Sequence, residues 1–175
     1  MSEQSQKIKA ALDRSRKAMT LKPSLGLGTG VSKSRVVNGL RCEITEGDWT
    51  LHTDMPEGAG GARSAPTPGV LGRAALGSCL AMGYVMKAAE RNITLNSVEV
   101  EVQATYDDGP LFGTRNDIPP GYLQVKYIVR VESDASEKEI MDLLDAADKC
   151  SPYLDIFSRA QDCVREVEVL SSKII

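Results

Sequence analysis

Four cysteines and one histidine are the residues whose chemistry bounds what this chain can do: Cys42, Cys79, Cys150, Cys163 and His52. None of the cysteines has CxxC spacing, and a single histidine cannot complete an ordinary zinc set, so no metal or cofactor is implied. A Cys-His hydrolase would need His52 as base and an acid to orient it, and no such acid is identifiable in the sequence. Cys79 stands out by its setting, Thr67-Pro68-Gly69-Val70-Leu71-Gly72-Arg73-Ala74-Ala75-Leu76-Gly77-Ser78-Cys79-Leu80-Ala81-Met82. A thiol there is either a small packing residue, since free cysteine is among the most buried types, or a redox group.

The elements that must position it are readable. Thr-Pro starts a helix, with the Thr hydroxyl expected to accept from a free backbone N–H and Pro at the first helical position, and the helix runs to about Asn92. Arg73 is the only charge between Gly69 and Met86, so the helix is expected to be buried on most sides and central. Its glycines and alanines lower helix propensity and would let another backbone approach closely.

Upstream, Ile8, Ala11, Leu12, Ser15 and Met19 form one stripe of an amphipathic helix over residues 5–19. Glu3 and Asp13 argue against reading it as a mitochondrial presequence, and a docking or dimer-covering helix is the better reading. Residues 1–24 are therefore taken as an N-terminal helix and linker, and residues 25–175 as one domain. Asn38-Gly39 predicts a tight hairpin between strands at 29–37 and 40–46, with a third strand at 49–53. Leu40, Cys42 and Ile44 alternate with polar residues, which puts Cys42 on a core face. The Gly, Ala and Pro-rich stretch from Asp54 to Thr67 reads as a long mobile loop feeding the Cys79 helix. Alternating valines predict strands at 98–103 and 123–131, joined by a Pro- and Gly-rich connection. Ser136-Glu137-Lys138-Glu139 is a capping box opening a helix that ends near Cys150, and Pro152 separates it from a short helical turn. Cys163–Leu170 is expected to close the chain as a strand. Antiparallel strands with segregated helices make the fold class α+β.

Composition narrows the function. Twenty-one Lys and Arg against 24 Asp and Glu leave a net charge of -3, and with only two Phe and one Trp the chain lacks the basic surplus and stacking platforms of a nucleic-acid binder. No secretory signal and no apolar run of membrane-spanning length were read, so neither nucleic acid nor membrane is an expected partner and a cytoplasmic setting is expected.

The small-residue helix Ala74-Ala75-Leu76-Gly77-Ser78-Cys79-Leu80-Ala81-Met82, followed by a cysteine at a later helix end in Ala146-Ala147-Asp148-Lys149-Cys150-Ser151-Pro152, resembles the OsmC/Ohr family of osmotically inducible and organic-hydroperoxide-resistance thiol proteins. The resemblance covers roughly residues 25–170. It implies an intertwined homodimer with antiparallel sheets around two central helices and sites at the subunit interface. Cys79 would attack a small-molecule hydroperoxide, Cys150 would resolve the sulfenic acid to a disulfide, and a thiol reductant would restore both. The chemistry suits that division, because a peroxidatic thiol needs a nearby cation or donor and a helix C-terminus like that at Cys150 disfavours thiolate.

Two family features are displaced. The supporting carboxylate that the resemblance implies at the start of the Cys79 helix is replaced by Gly69 and Val70, and the activating arginine of the first strand would fall near Gly30. Lys33 and Arg35 are the nearest cations on that strand and Arg73 is a third candidate for activating Cys79, with Arg35 put forward among them as a candidate catalytic residue. The alternative function is a non-peroxidatic member of the fold that binds an apolar or acyl ligand in the dimer-interface pocket.

Overall fold

A computed structural model describes residues 2–170. The elements are helix α1 (Glu3–Leu21), strands β1 (Lys33–Asn38), β2 (Arg41–Glu46) and β3 (Trp49–Thr53), helix α2 (Pro68–Arg91), strands β4 (Ser97–Thr105) and β5 (Gln124–Glu132), and helices α3 (Glu137–Asp148) and α4 (Pro152–Ser158), with short 3-10 turns at Pro23–Gly26 and Glu57–Ala59. The strands form two antiparallel sheets, β1-β2-β3 and β4-β5, so the α+β class holds.

The core forms on one face of α2. Leu76, Leu80, Tyr84 and Ala88 recur every four residues, and they meet Leu143 and Ala147 of α3 in a buried cluster. Val98, Val100 and Val102 of β4 and Val125, Tyr127 and Val129 of β5 pack against it, as period-two alternation dictates. Gly77 is where a small residue matters, since a Cβ there would lie 3.3 Å from Val102 and 3.6 Å from the Val100 carbonyl oxygen. The helix ends at Asn92, whose left-handed backbone (φ 58°) turns its N–H back to the last carbonyls.

Several expectations change. The expected central helix buried on most sides is buried on one face in the protomer, with Met82 60% and Met86 44% exposed. By length and composition α2 would also suffice to span a bilayer, contrary to the sequence reading; in the fold it is the helix on which β4, α1, α3 and α4 pack. Thr67 makes no side-chain cap; its carbonyl accepts from Val70 instead, at 3.0 Å. The first hairpin turns at Gly39-Leu40 rather than Asn38-Gly39, because Asn38 pairs with Arg41 and Gly39 alone of these carries positive φ, 55°. Residues 163–170 form no strand: they find no neighbouring edge in the protomer, and a strand without a ladder has no backbone partners. Cys163 is accordingly exposed rather than on a core face.

The segment after β3 is ordered around one carboxylate. Asp54, 1% exposed, accepts from the backbone N–H groups of Met55, Ala62 and Ser64 and from the Ser64 hydroxyl at 2.7 Å. Ser64, through its backbone N–H and then its hydroxyl, holds the Asp54 carboxyl below its ordinary value. The loop expected to be mobile is thus pinned from within.

Candidate functional site

The second face of α2 carries the chemistry. Cys79, Gly83 and Lys87 repeat every four residues, and Met82, Met86 and Glu90 form the row beside them. These six residues form one wall of a cavity of about 400 Å³. Ala147, Cys150, Ser151 and Pro152, from the end of α3 and the start of α4, form another, and Leu12 of α1 closes a third side. Cys79 and Cys150, which the sequence singled out separately, therefore line the same space.

The polar contact of Cys79 is Ser151. Their Sγ and Oγ atoms are 3.6 Å apart, and the Ser151 oxygen also accepts from the Leu154 N–H at 3.3 Å. Ser151 is 8% exposed and caps α4, so the hydroxyl is fixed in place with its proton free to point at sulfur. Toward a thiolate it can act only as donor. Cys150 is exposed where it lines the cavity, and all four cysteines are free thiols.

The cations fall elsewhere in the protomer. Arg35 projects from β1, 78% exposed, and pairs with Glu43 across the hairpin at 3.4 Å; it is not among the residues lining the cavity. Lys33 also lies on β1, opposite Thr45. Arg73 donates to the Tyr122 hydroxyl at 3.3 Å, which in turn donates to the Gly69 carbonyl at 3.1 Å. Gly69, where a family carboxylate was expected, leaves that guanidinium with a neutral partner. His52 sits on β3 opposite Glu43, 3.8 Å from its carboxylate and not on the cavity wall. Cys42 lines a separate apolar space with Leu40, Ile44, Pro68 and Leu71.

Two features were not anticipated. Lys87 lines the cavity, but its Nζ is bonded to Glu90 at 2.5 Å and Glu90 also pairs with Arg16 of α1. At a rise of 1.5 Å per residue, Lys87 is also roughly 12 Å along the helix from Cys79, so it marks the far end of the space rather than the sulfur. Its place on the Cys79 face was readable from four-residue spacing. The second feature is Asp148, which accepts from Tyr84 at 2.8 Å and from Tyr127 at 2.7 Å. This carboxylate ties the end of α3 to α2 and β5, two residues before Cys150. Burial and then Asp148 itself push the Tyr84 hydroxyl well up and the Tyr127 hydroxyl up to about 12. Among the described residues no group of His, Cys, Asp and Glu could hold a metal ion.

Comparison with known proteins defines the class. The family of OsmC-like proteins matches residues 60–164, more than half of the chain and all of the cavity except the α1 wall, so the protein belongs to that family. Solved structures share the fold: an OsmC-like protein from Mycoplasma pneumoniae (TM-score 0.64, 16% identity, covering 74% of this chain and 87% of that one) and an organic hydroperoxide resistance protein from Legionella pneumophila (TM-score 0.55, 19% identity, 76% and 91%). The organic hydroperoxide resistance protein OhrB of Bacillus subtilis is similar at 22% identity (TM-score 0.50, 76% and 93%). A comparison with curated proteins gave no match.

Proposed function

We propose that the protein is a homodimeric thiol peroxidase that reduces organic hydroperoxides at Cys79, with Cys150 as the resolving thiol. The observation that carries this reading is the shared cavity: two free cysteines far apart in sequence, one on α2 and one in the turn between α3 and α4, line one apolar space, and Cys79 lies beside a fixed hydroxyl. The Cys79 thiolate attacks one peroxide oxygen, the O–O bond breaks, and the alcohol leaves with a proton while sulfur becomes sulfenic acid. Cys150 then attacks that sulfur, forming a disulfide and releasing water. A dithiol reductant returns both thiols by exchange. Ser151 supports the attacking sulfur by donating to it. Arg35 is assigned as the activating cation, to be delivered to the site across the dimer. A reducing compartment such as the cytoplasm suits four free thiols.

A second reading rests on a specific observation: the cavity is lined mainly by Leu12, Met82, Met86, Ala147 and Pro152, and Cys79 has a serine rather than a cation beside it. Those features equally suit a carrier of an apolar or acyl ligand. Stopped-flow kinetics with an alkyl hydroperoxide and a dithiol decides between them. For the peroxidase, Cys79→Ser abolishes turnover, Arg35→Ala slows it, and Cys150→Ser stops it after about one equivalent with Cys79 over-oxidised. A wild-type rate no faster than a free thiol, unchanged by Cys79→Ser, gives the case to the carrier.

A further inference from the structure

Helix α1 is the one wall of the cavity that lies outside the family-matched residues. It lies on α2, yet none of its residues is buried. It is held by half-buried Ile8, which shares a small space with Val85, Ala88, Ala89 and Ile93, by Leu12 against the cavity, by Lys9 donating to the Asn92 side chain at 2.7 Å, and by the ion pair of Arg16 with Glu90. Arg16 is 60% exposed, whereas Glu90 is 17% exposed. We propose that α1 is a lid over the Cys79–Cys150 cavity, latched by the Arg16–Glu90 ion pair, and that its opening admits bulky molecules to Cys79.

The charge arrangement makes such a latch reversible. Glu90 has two cationic partners, Arg16 from the lid and Lys87 from its own helix. When Arg16 leaves, Glu90 keeps Lys87, so opening strands no unpaired carboxylate in the cavity wall. Arg16 keeps Asp13, within its own helix, at 3.2 Å. Behind α1, residues 27–32 are exposed and carry no regular structure, and Gly28 has open space around it, so the connection to β1 can bend without breaking packing. In the closed position Leu12 is the side chain through which the lid meets the cavity.

Site-resolved alkylation of the full-length, reduced protein tests this. It rests on the cavity being the site, but its readout uses no peroxide, so the lid and the peroxidase assignment can fail separately. Iodoacetamide serves as the small probe and a polyethylene-glycol maleimide as the bulky one, with modification at Cys79 followed by peptide mass mapping. At low salt the bulky probe should react slowly in the wild type. Arg16→Glu should accelerate it about fivefold, the factor expected for loss of one surface ion pair, and Arg16→Lys should restore the slow rate. In wild type, about 1 M salt, where the screening length is about 3 Å, should have the same accelerating effect. The iodoacetamide rate and the thermal unfolding midpoint should stay constant throughout. Equal bulky-probe rates in wild type and Arg16→Glu, insensitive to salt, would overturn the lid. If Arg16→Glu lowers the unfolding midpoint, the wild-type salt series decides by the same criterion.

Discussion

At the scale of single residues, the position of Cys150 depends on a carboxylate that does no chemistry. Asp148 accepts one hydroxyl hydrogen bond on each oxygen, from Tyr84 and Tyr127, and Tyr84 is fully buried. Removing one donor leaves a charged acceptor short of a bond, and hydrogen bonds to charged groups are worth about 1.5–3 kcal/mol. Tyr84→Phe is therefore expected to lower unfolding free energy by about that amount in urea titration, and Tyr127→Phe by less, because Tyr127 is only half-buried. The pH dependence has a definite sign. Both tyrosines have raised values in the folded state against an ordinary value of 10.0, so their contribution is intact below pH 10 and is lost as pH rises toward about 12 and beyond. The Tyr84→Phe/Tyr127→Phe double variant should show a flatter alkaline limb in stability against pH. The two thiols were legible from sequence through their helix settings. Asp148 was not, because a tyrosine in an apolar stripe reads as core and an aspartate at a helix end reads as solvated. The Lys87–Glu90 pair follows from three-residue spacing on one helix, whereas the pairing of Glu90 with Arg16 was not legible, since it depends on how α1 docks.

Elements show the same division between local and tertiary causes. The capping box at α3 was readable because all its parts lie within four residues; Ser136 Oγ accepts from the Glu139 N–H and Glu139 accepts from the Ser136 N–H. Replacing Ser136 by Ala should cost about 1 kcal/mol, measured by denaturant unfolding. The 54–66 segment was read from composition as mobile, and composition cannot show a carboxylate gathering donors from ten residues away. A Cβ at Gly61 would fall 1.9 Å from the Met55 carbonyl oxygen. Gly61→Ala must therefore move backbone rather than a flexible side chain, and a destabilisation of about 1–3 kcal/mol is expected. Asp54→Asn, which keeps the size but removes the charge and one acceptor, should lower the melting midpoint at neutral pH. Because the folded Asp54 carboxyl lies below its ordinary value of 3.8, its contribution is present above that value and is lost as pH falls through the folded one. The difference in midpoint between wild type and Asp54→Asn should accordingly shrink as pH falls below about 4.

For the whole molecule, the surfaces left bare are those a second copy would cover. On α2, Met82, Val85 and Met86 are 60%, 39% and 44% exposed; on the three-stranded sheet, Val36, Trp49 and Leu51 are 63%, 74% and 51% exposed. Every residue of β1 is exposed, and a three-stranded sheet with an uncovered edge strand and little buried surface is marginal in water. Residues 163–170, with Val164 81% and Val169 88% exposed, carry no regular structure and have no edge to join in the protomer. Where the sequence reading and the protomer disagree most, over the burial of α2 and the closing strand, the proposed dimer would supply a partner for both. Sedimentation at micromolar concentration should give twice the chain mass of 18.9 kDa. Val85→Lys, on the exposed face of α2 but not on the Cys79 cavity, should weaken association by placing an unpaired charge in the contact. Amide exchange at residues 163–170 should slow as protein concentration rises, because in the proposed dimer those N–H groups would gain acceptors. A monomer in sedimentation, with fast exchange there at every concentration, would remove the dimer and with it the route by which Arg35 is proposed to reach Cys79.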